Sequence, residues 1–282
     1  MMPRFASVSA FAALALTTQA LADMVALVPD RDNTLVEDAT GSLSMGQSYH
    51  MYAGRVGSNG EGLRRRALVR FDIAGAIPAG STITAVTLKL HMAQSNTGNQ
   101  TVHLRRMLAD WGEGASFGFG GGGAPAASGD ATWLHQFWPG DPWSTVGGDF
   151  LPTSSASKAI GSPGFYTWTS TPTLVADVQG WLNDPATNFG WMLQGNEAQT
   201  KTVKKFDTRN SDNPAYVPIL TVTYTPPPPC ADADQDCDGD VDSADLGSLL
   251  AKWGTNDAKG DITGDGTVDG ADVGALLSAW TG

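Results

Sequence analysis

Between Asp23 and Thr225 apolar and polar residues alternate in short runs instead of recurring every three or four positions. Residues 67–73, 83–92, 101–107, 165–169 and 219–224 keep a period of two, which predicts half-buried strands. Residues 189–193 and 203–206 are further strand candidates. One stretch differs: Leu174, Val178, Trp181 and Leu182 share one side of a helix over 174–182. Many short strands with so little helix predict a mainly β fold, an antiparallel β-sandwich of the jelly-roll kind. Residues 112–130 are rich in Gly, Ala and Ser and read as a long flexible loop.

The pattern changes after residue 230. Leu246, Leu249, Leu250 and Trp253 fall at i, i+3, i+4 and i+7, and Val273, Leu276, Leu277 and Trp280 repeat that spacing 27 residues on. Two short amphipathic helices are expected. Each follows an acidic twelve-residue segment. The first carries Asp234, Asp236, Asp238, Asp240, Asp242 and Asp245; the second carries Asp261, Thr263, Asp265, Thr267, Asp269 and Asp272. Both place oxygen-bearing side chains at loop positions 1, 3, 5, 9 and 12 and glycine (Gly239, Gly266) at position 6. Calcium asks for that layout: hard oxygen ligands at alternate positions, a main-chain carbonyl at 7 and a sharp turn at 6. Val241 and Val268, at position 8, can pair the two loops. Two calcium ions are therefore expected, and with so small a core the metal should supply much of the folding free energy.

These segments resemble a type I dockerin, the duplicated calcium module that docks proteins onto cohesin domains. The resemblance covers 232–282 and implies that Ser243, Ala244, Gly270 and Ala271, at loop positions 10 and 11, contribute to cohesin contact. Thr263 departs from the family, where Asp or Asn is commoner.

Charge follows the same division. The chain of 282 residues has a formal charge of −12, yet residues 231–282 alone hold 12 Asp against Lys252 and Lys259. Such acidity argues against nucleic-acid binding through phosphate contacts. Pro226 to Pro229 form a stiff spacer between the modules. At the other end, Arg4, the apolar run from Phe5 to Leu16 and the small residues Ala20 and Ala22 read as a secretory signal over 1–22. The expected organisation is thus signal 1–22, β domain 23–225, linker 226–230 and calcium module 231–282. No membrane span is expected after signal cleavage, and a secreted, extracellular location follows. In that setting Cys230 and Cys237 read as a disulfide, with free thiols the remaining alternative.

In the large module, Asp32-Asn33-Thr34-Leu35-Val36-Glu37, Arg65 to Asp72, Ile77-Pro78-Ala79-Gly80, Leu108 to Gly114, Gly129 to Trp133 and Phe206-Asp207-Thr208-Arg209 resemble the DNRLRE domain. Thr34 and Val36 stand where that name has arginines. The domain is grouped with carbohydrate-binding modules whose members include alginate binders, so the resemblance implies a β-sandwich that binds glycan. Trp133, Trp138 and Trp143 lie in a loop-like run and could stack on sugar rings; the alternative is a hydrophobic cluster closing one end of the fold. Arg64, Arg65 and Arg66 could pair with uronate carboxylates, or form a solvated edge with internal salt bridges. Trp111, Trp168, Trp181 and Trp191 read as core.

No zincin, α/β-hydrolase or P-loop signature is present. Asp110, Glu113 and Asp130 are the candidates for a glycosidase carboxylate pair; the alternative is that they fix loops or hold a structural calcium. The four histidines, His50, His91, His103 and His135, are scattered. The reading is a secreted, non-catalytic accessory protein of polysaccharide catabolism. It would bind a polysaccharide, acidic if the arginines engage it, and dock through calcium on a cohesin-like scaffold. A calcium-stiffened structural or adhesion protein, and a glycosidase or lyase hidden in the sandwich, are the rivals.

Overall fold

The computed structural model describes residues 21–227 and 229–281. Residues 1–20 of the expected signal lie outside them. The chain divides into two compact units after Pro227.

The first unit is mainly β. Its strands are β1 (Asp23–Leu27), β2 (Arg31–Val36), β3 (Leu43–Ser44), β4 (His50–Arg55) and β5 (Arg64–Arg70). The long β6 (Thr82–Ser95), β7 (Gln100–Arg106), β8 (Ala124–Pro125), β9 (His135–Phe137) and β10 (Asp141–Pro142) follow. The last are β11 (Ala156–Ile160), β12 (Gly164–Trp168), β13 (Trp191–Gln194), β14 (Lys204–Asp207) and β15 (Ile219–Thr225), with α1 (Pro172–Asn183) between β12 and β13. Eleven of them form one large antiparallel curled sheet in the order β1-β15-β6-β14-β4-β5-β13-β7-β11, with β12 also on β6 and β2 also on β5.

Strand β4 joins the two halves of that sheet. Its residues 50–53 pair with β14, whereas Gly54 and Arg55 pair with Arg65 and Arg64 of β5. Gly54 makes the change of partner possible. It sits at φ +121°, and a Cβ there would lie 2.9 Å from the Cα of Val203. Any other residue would be strained and crowded.

Alternation along the strands delivers one face to a common core. Val86, Leu88, Leu90 and Met92 of β6 meet Val102 and Leu104 of β7, Val69 of β5 and Leu220 and Val222 of β15. Helix α1 begins at Pro172, its first-turn amide at Leu174 capped by the Thr171 hydroxyl (3.0 Å), and packs Leu174, Val178, Trp181 and Leu182 on the same core. Trp168 and Trp191 are fully buried there. A buried tryptophan removes about 200 Å² from water, roughly 5 kcal/mol of hydrophobic free energy before entropy is counted.

The strands β2, β5 and β13 are covered on both faces. Leu68 and Met192 turn away from the first core and join Leu35, Met107, Trp111, Trp133 and Trp143 in a second cluster. The cover is supplied by the segment from Met107 to Phe150, so the expected flexible loop 112–130 is instead folded against the sheet. Hydrogen bonds from Asn33 to the carbonyls of Gly112 (3.2 Å) and Glu113 (3.1 Å) hold it down.

The second unit contains α2 (Ser243–Leu250) and α3 (Gly270–Ser278), each preceded by one acidic loop. Ala233, Val241, Leu249, Val268 and Leu276 form its core. The anticipated apolar faces are only partly used: Leu249 and Leu276 are buried, whereas Leu250, Trp253 and Leu277 stay about half exposed.

Candidate functional site

The two acidic loops are built alike because each ends as the start of a helix. Asp242 accepts from the Ala244 amide (2.7 Å) and its own amide donates to Asp245 (2.8 Å). Twenty-seven residues on, Asp269 accepts from Ala271 (2.8 Å) and donates to Asp272 (2.8 Å). Loop positions 9 and 12 are therefore the N-cap and third helical residue of a reciprocal capping box. The helix start orients two of the expected ligands in each loop.

The turn at position 6 folds the other end of each loop inward. Gly239 and Gly266 sit at φ +100° and +98°, a backbone region favouring glycine. Asp234 can then accept the amides of Cys237 (2.7 Å) and Gly239 (3.1 Å). Asp261 accepts those of Asp265 (2.9 Å) and Gly266 (2.8 Å). Main-chain amides, first that of Asp242, hold the Asp245 carboxyl below the usual carboxylate range. The amides of Asp269 and Thr263 do the same for Asp272. Asp236 is pushed the other way, by desolvation and then by the carboxylate of Asp238, with Asp245 and Asp234 adding to it.

Among the described residues, Asp234, Asp236 and Asp245 bring carboxylate oxygens within 4.8 Å of one another. Hard anionic oxygens this close repel unless a cation joins them, so the donor set suits a divalent ion of the calcium class. The second loop has a shorter set. Thr263 replaces a carboxylate, and its hydroxyl donates to Asp272 (3.0 Å). Asp238, Asp240, Asp265 and Thr267 are exposed. Of these, the side chains of Asp238 and Asp265 accept the amides of Asp240 and Thr267, each at 3.0 Å.

Val241 and Val268 are buried in one core cluster, but the main-chain hydrogen bonds of each go to another segment. The Thr281 amide donates to the Val241 carbonyl (3.0 Å), and the Gly254 amide to that of Val268 (2.8 Å). Each valine thus pairs with the segment following the other copy's helix. Ser243, Ala244, Gly270 and Ala271 lie exposed at the first turns of α2 and α3. Cys230 and Cys237 are joined in a disulfide with Cα atoms 5.3 Å apart.

In the first unit the residues singled out for sugar contact are committed elsewhere. Trp133 and Trp143 are 3% and 5% exposed, within the second hydrophobic cluster, so neither presents a ring face to a ligand. Trp138 alone of the three is half-buried. Arg64 pairs with Glu37 (2.5 Å), and Arg66 makes a fork to Glu197 at 2.8 and 2.9 Å. Both guanidiniums lie 4.8 Å from the centre of the Trp133 ring. Arg65, on the opposite side of β5 as alternation requires, is buried and donates to the Gly121 carbonyl (2.6 Å). Internal salt bridges, part of the alternative stated from sequence, take Arg64 and Arg66, while Arg65 bonds to main-chain carbonyls; with Arg65 and Arg66 buried, the edge is not the solvated one expected.

The candidate carboxylates fix loops. Asp110 pairs with Arg31. Glu113 accepts from Arg209 (2.8 Å), the Asp32 amide (2.9 Å) and Gln47 (3.0 Å). Asp130 accepts the Ala127 amide (2.6 Å), and burial pushes its carboxyl up. Sequence reasoning missed what lies beside them. Asp32 is wholly buried, with one oxygen on the Arg209 amide (2.8 Å) and the other without a partner; desolvation raises its pKa to about 7. It also missed that Asp207 joins two of the scattered histidines: it meets His91 at 2.7 Å and His50 at 3.5 Å, and Tyr216 stacks on His91 at 3.7 Å. Asp32, His50, His91 and Asp207 lie on separate strands, and no local spacing announces them.

Compared with known proteins, the chain matches no family model and no curated protein.

Proposed function

We propose that this chain is a secreted, non-catalytic accessory protein of polysaccharide breakdown. In this reading the first unit is a jelly-roll β-sandwich of the DNRLRE kind that binds polysaccharide. The second is a dockerin-like module that binds two calcium ions and docks on a cohesin-like scaffold. Holding glycan and scaffold on one chain raises the effective concentration of substrate near partner enzymes. The disulfide agrees with an oxidising, extracellular setting.

The observation that carries the reading is the convergence of Asp234, Asp236 and Asp245 within a loop whose caps and turn recur 27 residues later. Asp234, Asp236, Asp238, Asp242 and Asp245 would hold one ion with the Asp240 carbonyl. Asp261, Thr263, Asp265, Asp269 and Asp272 would hold the other with that of Thr267. Bound calcium supplies positive charge that relieves repulsion between the carboxylates. The chain's own part is to cap two helices with the same side chains that carry the ligand oxygens. The glycan half of the reading is supported by the DNRLRE-like segments.

Calorimetric titration of the chelator-stripped full chain with calcium tests the module. Two binding events are expected, the second loop weaker because Thr263 brings no charge. Absence of any heat would end the calcium reading and the docking role with it.

A further inference from the structure

One concave region of the first unit is lined in part by polar side chains that make no hydrogen bond or salt bridge to another described residue. Adjoining hollows of about 240, 360 and 310 Å³ share Val203 and Asn96, and two of them share Tyr52 and Gly121. Their floor is a row across three strands: Tyr52 of β4 lies opposite Lys205 of β14, which lies opposite Gln94 of β6. One wall is the glycine-rich backbone from Gly120 to Gly122, pinned from beneath by the Arg65 guanidinium. The other carries Asn59 and Lys201.

The side chains of Asn59, Gln94, Asn96, Lys201 and Lys205 make no hydrogen bond or salt bridge to another described residue, in contrast to Arg64, Arg65 and Arg66. Three amides that both donate and accept suit the mixed demands of sugar hydroxyls. An apolar surface stands at the rim. Phe119 is 84% exposed and packs edge-on against Phe117 (4.9 Å), which packs against Tyr49 (5.1 Å). A phenyl ring held out on a glycine-rich segment gains nothing from the core and is free to stack on a sugar's apolar face. The charged side chains lining the hollows are Lys201, Lys205 and the buried Arg65, and no carboxylate accompanies them. On a chain of net charge −12 this is a locally cationic groove.

We propose that this groove, and not the tryptophan run at 133–143, is the glycan-binding site, and that its ligand is an oligosaccharide bearing anionic groups. The inference rests on the reading that the first unit binds polysaccharide. Phe119 would stack on a ring, the amides of Asn59, Gln94 and Asn96 would engage hydroxyls, and Lys201 and Lys205 would meet carboxylate or sulfate groups.

Affinity electrophoresis of the full chain tests it, in gels holding a polyuronate, a sulfated galactan or a neutral glucan. Near-ultraviolet circular dichroism establishes that each variant keeps the wild-type fold. The anionic gels should retard the wild type, and added salt should weaken the retardation. Removing both cations (Lys201→Gln with Lys205→Gln) should weaken binding on the order of tenfold, since each exposed pair contributes up to about 1 kcal/mol. Phe119→Ala should weaken it comparably, and Trp138→Ala should leave it unchanged. Retardation by the neutral glucan alone, or retardation untouched by the groove variants, would overturn this inference and leave glycan binding standing. No retardation in any gel would remove glycan binding itself, and the groove assignment with it.

Discussion

Asp32 is a carboxyl whose position costs the fold stability. It is fully buried, one oxygen has no partner, and Glu113 lies close enough to oppose its ionisation. With a native pKa of about 7 against an ordinary 3.8, the folded chain holds a proton that the unfolded chain has released across that window. Stability must then fall as pH rises from about 4 to about 7 and level off above, by a few kcal/mol in total. Asp32→Asn removes the titration. The slope of Tm against pH between 5 and 8 is expected to flatten in that variant, and an unchanged slope would assign the dependence to other groups. Sequence could name Asp32 within a resembling segment but not its burial, which arises because β2 lies beneath the 107–150 cover. The arginines show the same blindness: spacing placed Arg65 opposite Arg64 and Arg66, yet gave no sign of Glu37, Gly121 or Glu197 as their partners.

At the scale of elements, legibility tracks the number of buried faces. Strands β6, β7, β12 and β15 have one face in the core and one outside, so alternation marks them. Every residue of β2 after Arg31 is buried, and no alternation is left to read; β5, covered on both faces, starts at Arg64 and not at Ala67. The acidic loops are legible for the opposite reason. Their geometry is local, each contained in twelve residues whose spacing the main chain enforces. What spacing alone did not disclose is that positions 9 and 12 also cap helices. That double use separates two variants which a pure ligand count would treat alike. Asp238→Ala should weaken calcium binding and leave the helices intact once calcium is saturating. Asp242→Ala should weaken binding and also remove the α2 cap, lowering stability at saturating calcium by about 1 kcal/mol. Calcium titrations followed by helical circular dichroism compare the two; equal end-point signals and midpoints of unfolding would mean the capping box contributes nothing.

For the whole molecule, the two units differ in what can hold them together. The first has two extensive apolar clusters and all of the fully buried tryptophans. The second has a core of five buried apolar residues, and 12 of its side chains are carboxylates that repel one another. A core of that size rarely exceeds a few kcal/mol of net stability, so the carboxylate charge decides whether the unit is folded. The groove of the first unit was invisible in the sequence because Asn59, Asn96, Phe119 and Lys205 meet only after β4, β6 and β14 have paired; the loops of the second were visible because the turn, the caps and the ligand-bearing side chains of each lie within twelve residues. The same contrast predicts how the full chain responds to a chelator. Hydrogen exchange followed by mass spectrometry should show amides of α2 and α3 losing protection when calcium is removed, while β6, β13 and β15 keep theirs. Restoring calcium should restore the protection of α2 before α3, because the first loop brings Asp236 to its converging carboxylates where the second has the uncharged Thr263. Full protection of both helices in the chelator would mean that apolar packing and the disulfide suffice, and that the acidic loops are not the folding device their spacing suggests.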